Sequence, residues 1–260
     1  LDYKTILVAD KGPIRNIVLN RPDRRNAVTP EMQMELIAAF EETAACDHCR
    51  VLVLSAAGTA FCSGLDLSVL TSLAHESAQE HRADAERIAR LFLALYEMPM
   101  PTIAAVHGAA IAGGSGLAFI PDFTIATPLA KFGFTEVRIG FVPALVSVFL
   151  ALQLGDKQAR DLFLTGRVFS AERACRLGLV TEIVTQRDLP QHVDALAELL
   201  LSSSPRSLAS IKRLLAAQHK AWLEAAILAA IEANTEARGT PDFREGVTAF
   251  LEKRKPVWPK

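Results

Sequence analysis

The stretch TIAAVHGAAIAGGSG, residues 102–116, passes from an apolar, β-branched run into a segment made almost wholly of small residues. Thr102 to Val106 reads as a buried strand, and His107 to Gly116 is too rich in glycine and alanine to be regular. The same pairing occurs upstream, where the apolar run Val51 to Leu54 precedes GTAFCSGLDL at 58–67. A polar-rich helical stretch, roughly Ala78 to Glu97, lies between that loop and the strand at Thr102. Strands alternating with helices predict an α/β core.

Working outward, Thr5 to Val8 and Ile14 to Leu19 read as strands joined by a turn at Lys11-Gly12-Pro13. Thr29-Pro30 supplies a helix N-cap followed by proline at the first helical position. That helix runs to about Glu42 and places Met32, Leu36, Ala39 and Phe40 on one face. Beyond Ser170 the pattern is mostly helical, with Leu189 to Leu201, Ser207 to Gln218, Trp222 to Ala237 and Pro241 to Lys253 as helices. The expected organisation is a core over 1–200 and a helical region over 201–260 that caps the core or packs on a neighbour.

Composition narrows the function. The chain has 260 residues, 28 basic against 29 acidic, and a formal charge of -1. This leaves no electrostatic excess for a polyanion, so nucleic-acid binding is not expected. Met98 to Pro121 is uncharged, but prolines at 99, 101 and 121 and glycines at 108, 113, 114 and 116 would break a spanning helix, so no membrane span is expected. The first residues show no basic segment followed by an apolar one, as a secretory signal requires. Of four cysteines, only Cys46 and Cys49, with His48 between them, have suggestive spacing. No second ligand pair accompanies them, so they read as thiols without a metal, and the lack of a disulfide framework fits a reducing cytoplasm.

The two glycine loops fail the familiar phosphate and nucleophile patterns. No Gly-Lys-Ser/Thr follows either one. Gly114-x-Gly116 meets Phe119 where a dinucleotide motif needs glycine, and Gly113-Gly114-Ser115-Gly116-Leu117 misses the last glycine of a nucleophile elbow. The loops still offer unobstructed backbone N–H groups, which is what an acyl oxygen needs as it gains negative charge. Tight helix-to-strand packing is the alternative reading of the same glycines.

FCSGLDL at 61–67, His107-Gly108 through Gly113-Gly114, and KFGFTEVRIG at 131–140 occur in this order, with Arg21-Pro22 and Asn26-Ala27 before them. Leu164-Thr165-Gly166, Ala174, Gly178-Leu179-Val180 and Phe250-Leu251-Glu252-Lys253-Arg254 follow. Together they resemble the crotonase (enoyl-CoA hydratase/isomerase) superfamily over essentially the whole chain. The resemblance implies a spiral of β-β-α turns with a helical C-terminal trimerisation region, assembled as a homo-trimer or a hexamer of two trimers. It also implies a coenzyme A thioester as substrate, with no separate cofactor.

Carried over by position, the oxyanion-hole amides fall on Leu65 and Gly113. Arg25, Ala27, Ser63, Gly64, Asp66 and Leu67 would line the bound CoA thioester, as would Gly114 and Gly116 in the second loop. Phe250 and Lys253 would approach the ring and phosphate end, while His107 reads as a local structural residue. Hydratases of this kind have two glutamates at the acyl Cα and Cβ. One is present as Glu136; the other position is Gly116.

A single buried carboxylate suits proton transfer from C2 to C4 of a 3-enoyl thioester, so Gly116 favours an isomerase. The surrounding sequence instead resembles bacterial hydratases, including methylglutaconyl-CoA hydratase-type members, that also have glycine there. Hydration of a 2-enoyl-CoA is therefore the favoured reading. Isomerisation is the alternative, and a non-catalytic acyl-CoA binder the third reading. The segment Leu67 to Arg90, with His75, Glu76, Glu80 and His81, is a candidate for the pocket wall and for a group that directs water. Val142 to Leu154 reads as core helix or trimer surface.

Overall fold

The computed structural model describes residues 2–73 and 76–259, with only the backbone of Leu67, Leu70 and Leu73. His75 therefore lies outside the described residues. The chain opens with a hairpin of β1 (Ile6–Lys11) and β2 (Ile14–Leu19), closed by Gly12-Pro13 with Gly12 at φ 58°. β1 starts one residue later than its apolar pattern suggests and ends three residues later, because Ala9, Asp10 and Lys11 pair with Asn16, Arg15 and Ile14 although they lie on the surface. In α1 (Pro30–Ala44) the Thr29 hydroxyl accepts from Met32 N at 3.3 Å, satisfying one of the free N–H groups at the helix start.

After β3 (Val51–Ala56) come α2 (Leu67–Leu73) and α3 (Ala78–Tyr96). A reciprocal pair starts α3: Ser77 N donates to Glu80 Oε2 at 2.7 Å, and Glu80 N donates to Ser77 Oγ at 3.3 Å. The second loop is more ordered than its composition suggests. It contains β5 (Ala110–Ile111), after β4 (Thr102–Val106), and the short helix α4 (Gly113–Phe119). Next are β6 (Phe123–Ala126), β7 (Lys131–Gly133), a 3-10 turn at Glu136–Ile139, α5 (Ala144–Leu154) and α6 (Asp156–Thr165). β8 (Phe169–Ser170), α7 (Ala171–Arg176), β9 (Glu182–Ile183) and α8 (Leu189–Leu201) complete the α/β part. The chain ends in α9 (Pro205–Ala217), α10 (Lys220–Arg238) and α11 (Pro241–Leu251).

One sheet has the order β1-β2-β3-β4-β6-β9, parallel after the first hairpin, and a smaller one has β5-β7-β8. Isolated bridges Val28↔Leu65 and Cys62↔Ala110 extend the smaller sheet backward along the chain. β2, β3, β4 and β6 of the large sheet are thus each followed by a short pairing segment of the small one and then by a helix or helical turn. This repeat is the β-β-α spiral expected from the resemblance.

Strands buried on both faces read as continuous apolar runs, as β3 and β4 do. Alternation sorts their side chains: Leu52, Leu54, Ala104 and Val106 join the main core, while Val51, Val53, Ile103 and Ala105 pack with Val193 and Ala197 of α8. Leu145, Val146, Val148, Phe149 and Leu150 of α5 are buried in the chain's own core, which settles their reading as core helix. α10 packs on α3 and α5, and α11 packs on the turn at 136–139, so the C-terminal helices close over the face where the glycine loops emerge.

Candidate active site

A cavity of about 570 Å³ lies beneath these helices. Its lining brings together Arg25, Ala27, Ser63, Gly64, Leu65, Asp66, Gly113, Glu136 and Phe250 from five separate parts of the chain.

The first glycine loop is held from below by Asn26. This buried side chain accepts from Arg21 N at 2.7 Å and donates to the Ala57 and Ala60 carbonyls at 2.8 and 2.9 Å. Arg25 and Asn26 are both left-handed, at φ 51° and 53°, a conformation asparagine tolerates better than most residues. Val28 N donates to the Gly64 carbonyl at 2.8 Å, and Asp66 N to the Val28 carbonyl at 3.0 Å. Because successive residues of an extended segment alternate sides, the N–H of Leu65 faces away from Val28, toward the cavity.

The second amide comes from the start of α4. Gly113 opens the helix, so its N–H has no intrahelical acceptor. Ala112 before it holds φ 55° and ψ -126°, a strained backbone for alanine, and is anchored by its own N–H to the Gly133 carbonyl at 2.7 Å. Gly64 and Gly114 let the two loops meet. A Cβ at Gly64 would lie 3.1 Å from Ala112 Cβ, and one at Gly114 would lie 2.4 Å from the Cys62 carbonyl. Gly114 therefore serves packing and does not line the cavity.

Glu136 heads the 3-10 turn at the cavity wall. Only 8 % of the residue is exposed, and its Oε2 has no hydrogen-bond partner among the described residues. Burial in apolar surroundings pushes its pKa up to about 7, with a backbone hydrogen bond opposing the shift. The turn is held by α11: a Cβ at Gly140 would meet the Asp242 carbonyl at 2.3 Å, and one at Gly246 would meet Ile139 C at 2.2 Å.

Among the described lining residues, two other carboxylates differ from Glu136. Asp23 is exposed at the rim. Burial works to raise the pKa of Asp66, but the Ser68 and Arg21 hydrogen bonds outweigh it and hold the group below its usual value. Arg24 and Arg25 are exposed at the same rim and suit an anionic ligand entering there.

Gly116 does not line the cavity. A Cβ there would lie 2.8 Å from Phe92 Cζ and 3.0 Å from Val146 Cγ2, so apolar side chains fill the space a second carboxylate would need. Lys253 lies exposed just beyond α11 and outside the lining. The backbone of Leu67 starts α2, and its side chain lies outside the description. The His107 ring N–H bonds the Gly58 carbonyl at 2.9 Å, a local structural contact.

Of the 67–90 segment, Ile88 reaches the cavity, while Glu80 is used in the α3 cap. Phe92, Gln33 and Asn234, none of them a candidate from the sequence, line the cavity, and Asn26, known there only as part of the Asn26-Ala27 motif, holds its floor. Only Asn26, polar beside two strands' ends, had a local signal. Cys46, His48 and Cys49 converge at the end of α1, with Cys46 Sγ 3.2 Å from His48 Nδ1 and His48 Nε2 3.2 Å from Asp10, but none lines the cavity.

The family model described as Enoyl-CoA hydratase/isomerase matches residues 10–260. A Thermus thermophilus protein named "Putative enoyl-CoA hydratase" is 42% identical over 95% of this chain and 98% of its own length. A crotonyl-CoA hydratase of Syntrophomonas wolfei is 32% identical over 97% of each chain. The crystal structure of an enoyl-CoA hydratase/isomerase from Xanthobacter autotrophicus superposes with a TM-score of 0.90 at 29% identity, covering 100% of both chains. Sequence and fold agree along the whole length: this chain belongs to the enoyl-CoA hydratase/isomerase family of the crotonase superfamily.

Proposed function

We propose that the protein adds water to 2-enoyl-CoA thioesters, and in reverse dehydrates 3-hydroxyacyl-CoA, using Glu136 as its single acid/base. The observation that carries this reading is the buried Glu136 carboxyl, whose Oε2 has no hydrogen-bond partner among the described residues, in the cavity that Leu65 and Gly113 also line. The thioester oxygen accepts from the two backbone amides, each contributing about 3 kcal/mol as negative charge develops there. The Glu136 carboxylate takes a proton from water as the water oxygen bonds to Cβ. The Cα–Cβ π electrons move onto the thioester as an enolate, and Glu136 returns the proton to Cα. A pKa near 7 lets one group serve both steps at neutral pH.

Isomerisation of 3-enoyl to 2-enoyl thioesters is the second reading, favoured by the Phe92 ring standing where a second glutamate would project. There the same carboxyl moves a proton from C2 to C4. Incubation of a short 2-enoyl-CoA and its 3-enoyl isomer in heavy water, followed by mass spectrometry, separates the readings. Addition of one water supports hydration, and interconversion with deuterium uptake but no added water makes the protein an isomerase. Binding without exchange of Cα protons makes it a non-catalytic binder and ends both.

Assembly into trimers is part of the proposal. Ile211, Leu214 and Leu215, at helical spacing on α9, are all more than half exposed, and nothing among the described residues covers them. A homo-trimer or hexamer would bury such a face.

A further inference from the structure

The end of α1 gathers a second set of reactive side chains, away from the cavity. Cys46, His48 and Cys49 each offer one ligand atom, and the three atoms lie within 4.8 Å of one another. Cys46 Sγ stands 3.2 Å from His48 Nδ1. In the sequence the lack of a second cysteine pair argues against a metal, but the third ligand here comes from between the two thiols. The chain turns back on itself after α1, where Cys49 N donates to the Cys46 carbonyl at 3.2 Å, and this turn brings the imidazole to the sulfurs.

Asp10 of β1 fixes the ring. Its Oδ2 accepts from His48 Nε2 at 3.2 Å. Arg15 holds the same carboxylate through both oxygens, with Nε to Oδ1 at 2.7 Å and Nη2 to Oδ2 at 2.8 Å. Asp10 and Arg15 face each other across the β1–β2 hairpin, so the support is built into the sheet. An imidazole that gives its Nε2 proton to a carboxylate turns the Nδ1 lone pair toward the cysteines. A carboxylate behind the ring is the usual outer support of a metal-bound histidine.

The donor set selects the ion. Two sulfurs and one imidazole nitrogen suit Zn2+ and are poor ligands for Mg2+ or Ca2+. Two thiolates balance a divalent ion, and Arg15 balances Asp10, so the loaded cluster is neutral. It follows the C-terminus of a helix with no basic residue in its last turn, where the helix dipole favours a cation. A redox pair of Cys-x-x-Cys spacing instead draws on a helix N-terminus to stabilise its thiolate. Ligand atoms around a tetrahedral zinc stand about 3.5–3.8 Å apart, so shifts of about an ångström close the site. His48 is exposed and Cys46 half-buried, which leaves the fourth position to water.

We propose that Cys46 Sγ, His48 Nδ1 and Cys49 Sγ bind one Zn2+ ion, with Asp10 as the positioning residue for His48. The two thiol protons leave to solvent as the ion enters. The site pins the end of α1 to the β1–β2 hairpin and stabilises the fold. None of its residues lines the cavity, so it stands apart from the thioester reading.

The test is a titration of the full chain, stripped of metal with a chelator and kept reduced by a phosphine, with cobalt(II) as the spectroscopic probe. Saturation at one equivalent is expected, with thiolate-to-cobalt charge-transfer absorption and the visible bands of a tetrahedral site, both abolished when Zn2+ displaces the probe. Cys46→Ser and His48→Ala, both away from the core's interior, should lose this saturable binding, while Cys175→Ser should keep it. Asp10→Asn should weaken Zn2+ affinity by about tenfold to a hundredfold. Zn2+ should raise the Tm of the parent and leave that of Cys46→Ser unchanged, because only the folded parent holds the ligands together.

Absence of the charge-transfer absorption in the parent, or its survival in Cys46→Ser or His48→Ala, would overturn the site. Parent-like Zn2+ affinity in Asp10→Asn, even with a lower Tm of the metal-free protein, would overturn the positioning role. No step of the test depends on turnover, so its outcome and that of the hydration assay are read separately.

Discussion

The ring of Phe92 rests on Gly116, with Cζ only 2.8 Å from where a Cβ at 116 would stand. This contact, together with Val146 Cγ2 at 3.0 Å, leaves no room for a carboxyl side chain at position 116. Gly116→Glu is expected to destabilise the protein by about 1–3 kcal/mol through overpacking, without a gain in hydration rate. Phe92→Ala alone should also destabilise, but the pair Phe92→Ala with Gly116→Glu should recover part of the combined loss. Urea unfolding of the four proteins measures that coupling, and strictly additive losses would contradict the contact.

Glu136 makes stability depend on pH in a defined direction. Its folded pKa, about 7, lies above the ordinary carboxylate value of 4.5, so between those values the folded chain binds more protons than the unfolded one. Its contribution is therefore fully present below about 4.5 and is lost as pH rises through about 7. Glu136→Gln removes this dependence and should raise stability at pH 8, relative to pH 5, by about 3 kcal/mol compared with the parent. Chemical denaturation of both proteins at the two pH values is the measurement, and parallel stability curves would contradict the raised pKa.

Gly246 and Gly140 let α11 lie directly on the turn that carries Glu136. Gly246→Ala would force its Cβ onto Ile139 C, 2.2 Å away, where only backbone can yield. The expected result is a lower Tm and a fall in kcat of about tenfold or more as the turn shifts, with CoA-thioester binding less affected. Parent-like kcat in the folded variant would show that α11 does not position the carboxyl.

Asn26 makes three hydrogen bonds that tie the 21–28 segment to the 57–60 loop. Asn26→Ala leaves Arg21 N and two carbonyls without this partner and is expected to cost about 1–3 kcal/mol. Because Leu65 is aligned by Val28 of the same assembly, turnover should fall as well. Denaturation midpoints and steady-state rates at saturating substrate check the two effects separately.

The large sheet could be read residue by residue, because strands such as Val51–Ala56 and Thr102–Val106 are buried on both faces and leave an unbroken apolar run. α4 could not, since Gly113, Gly114 and Gly116 are poor helix formers. It forms because glycine alone fits against Cys62 and Phe92, a tertiary constraint with no local trace. Glu136 and the two amide positions were visible through the family resemblance. Gln33 and Asn234 were not: they come from α1 and α10, far apart in the chain, and only the packing of both helices on α3 brings them to one cavity. Ala112 at φ 55° was equally hidden, because its residue type gives no sign of a left-handed backbone.

The most direct measurement is the turnover of crotonyl-CoA by Glu136→Gln, taken beside its affinity for a saturated CoA thioester. With Glu136 as the only acid/base, kcat should fall by at least about a thousandfold while affinity stays within a few-fold, since the amide keeps the shape of the carboxyl but cannot take a proton. Turnover near that of the parent would show that another group exchanges the proton and would contradict the account.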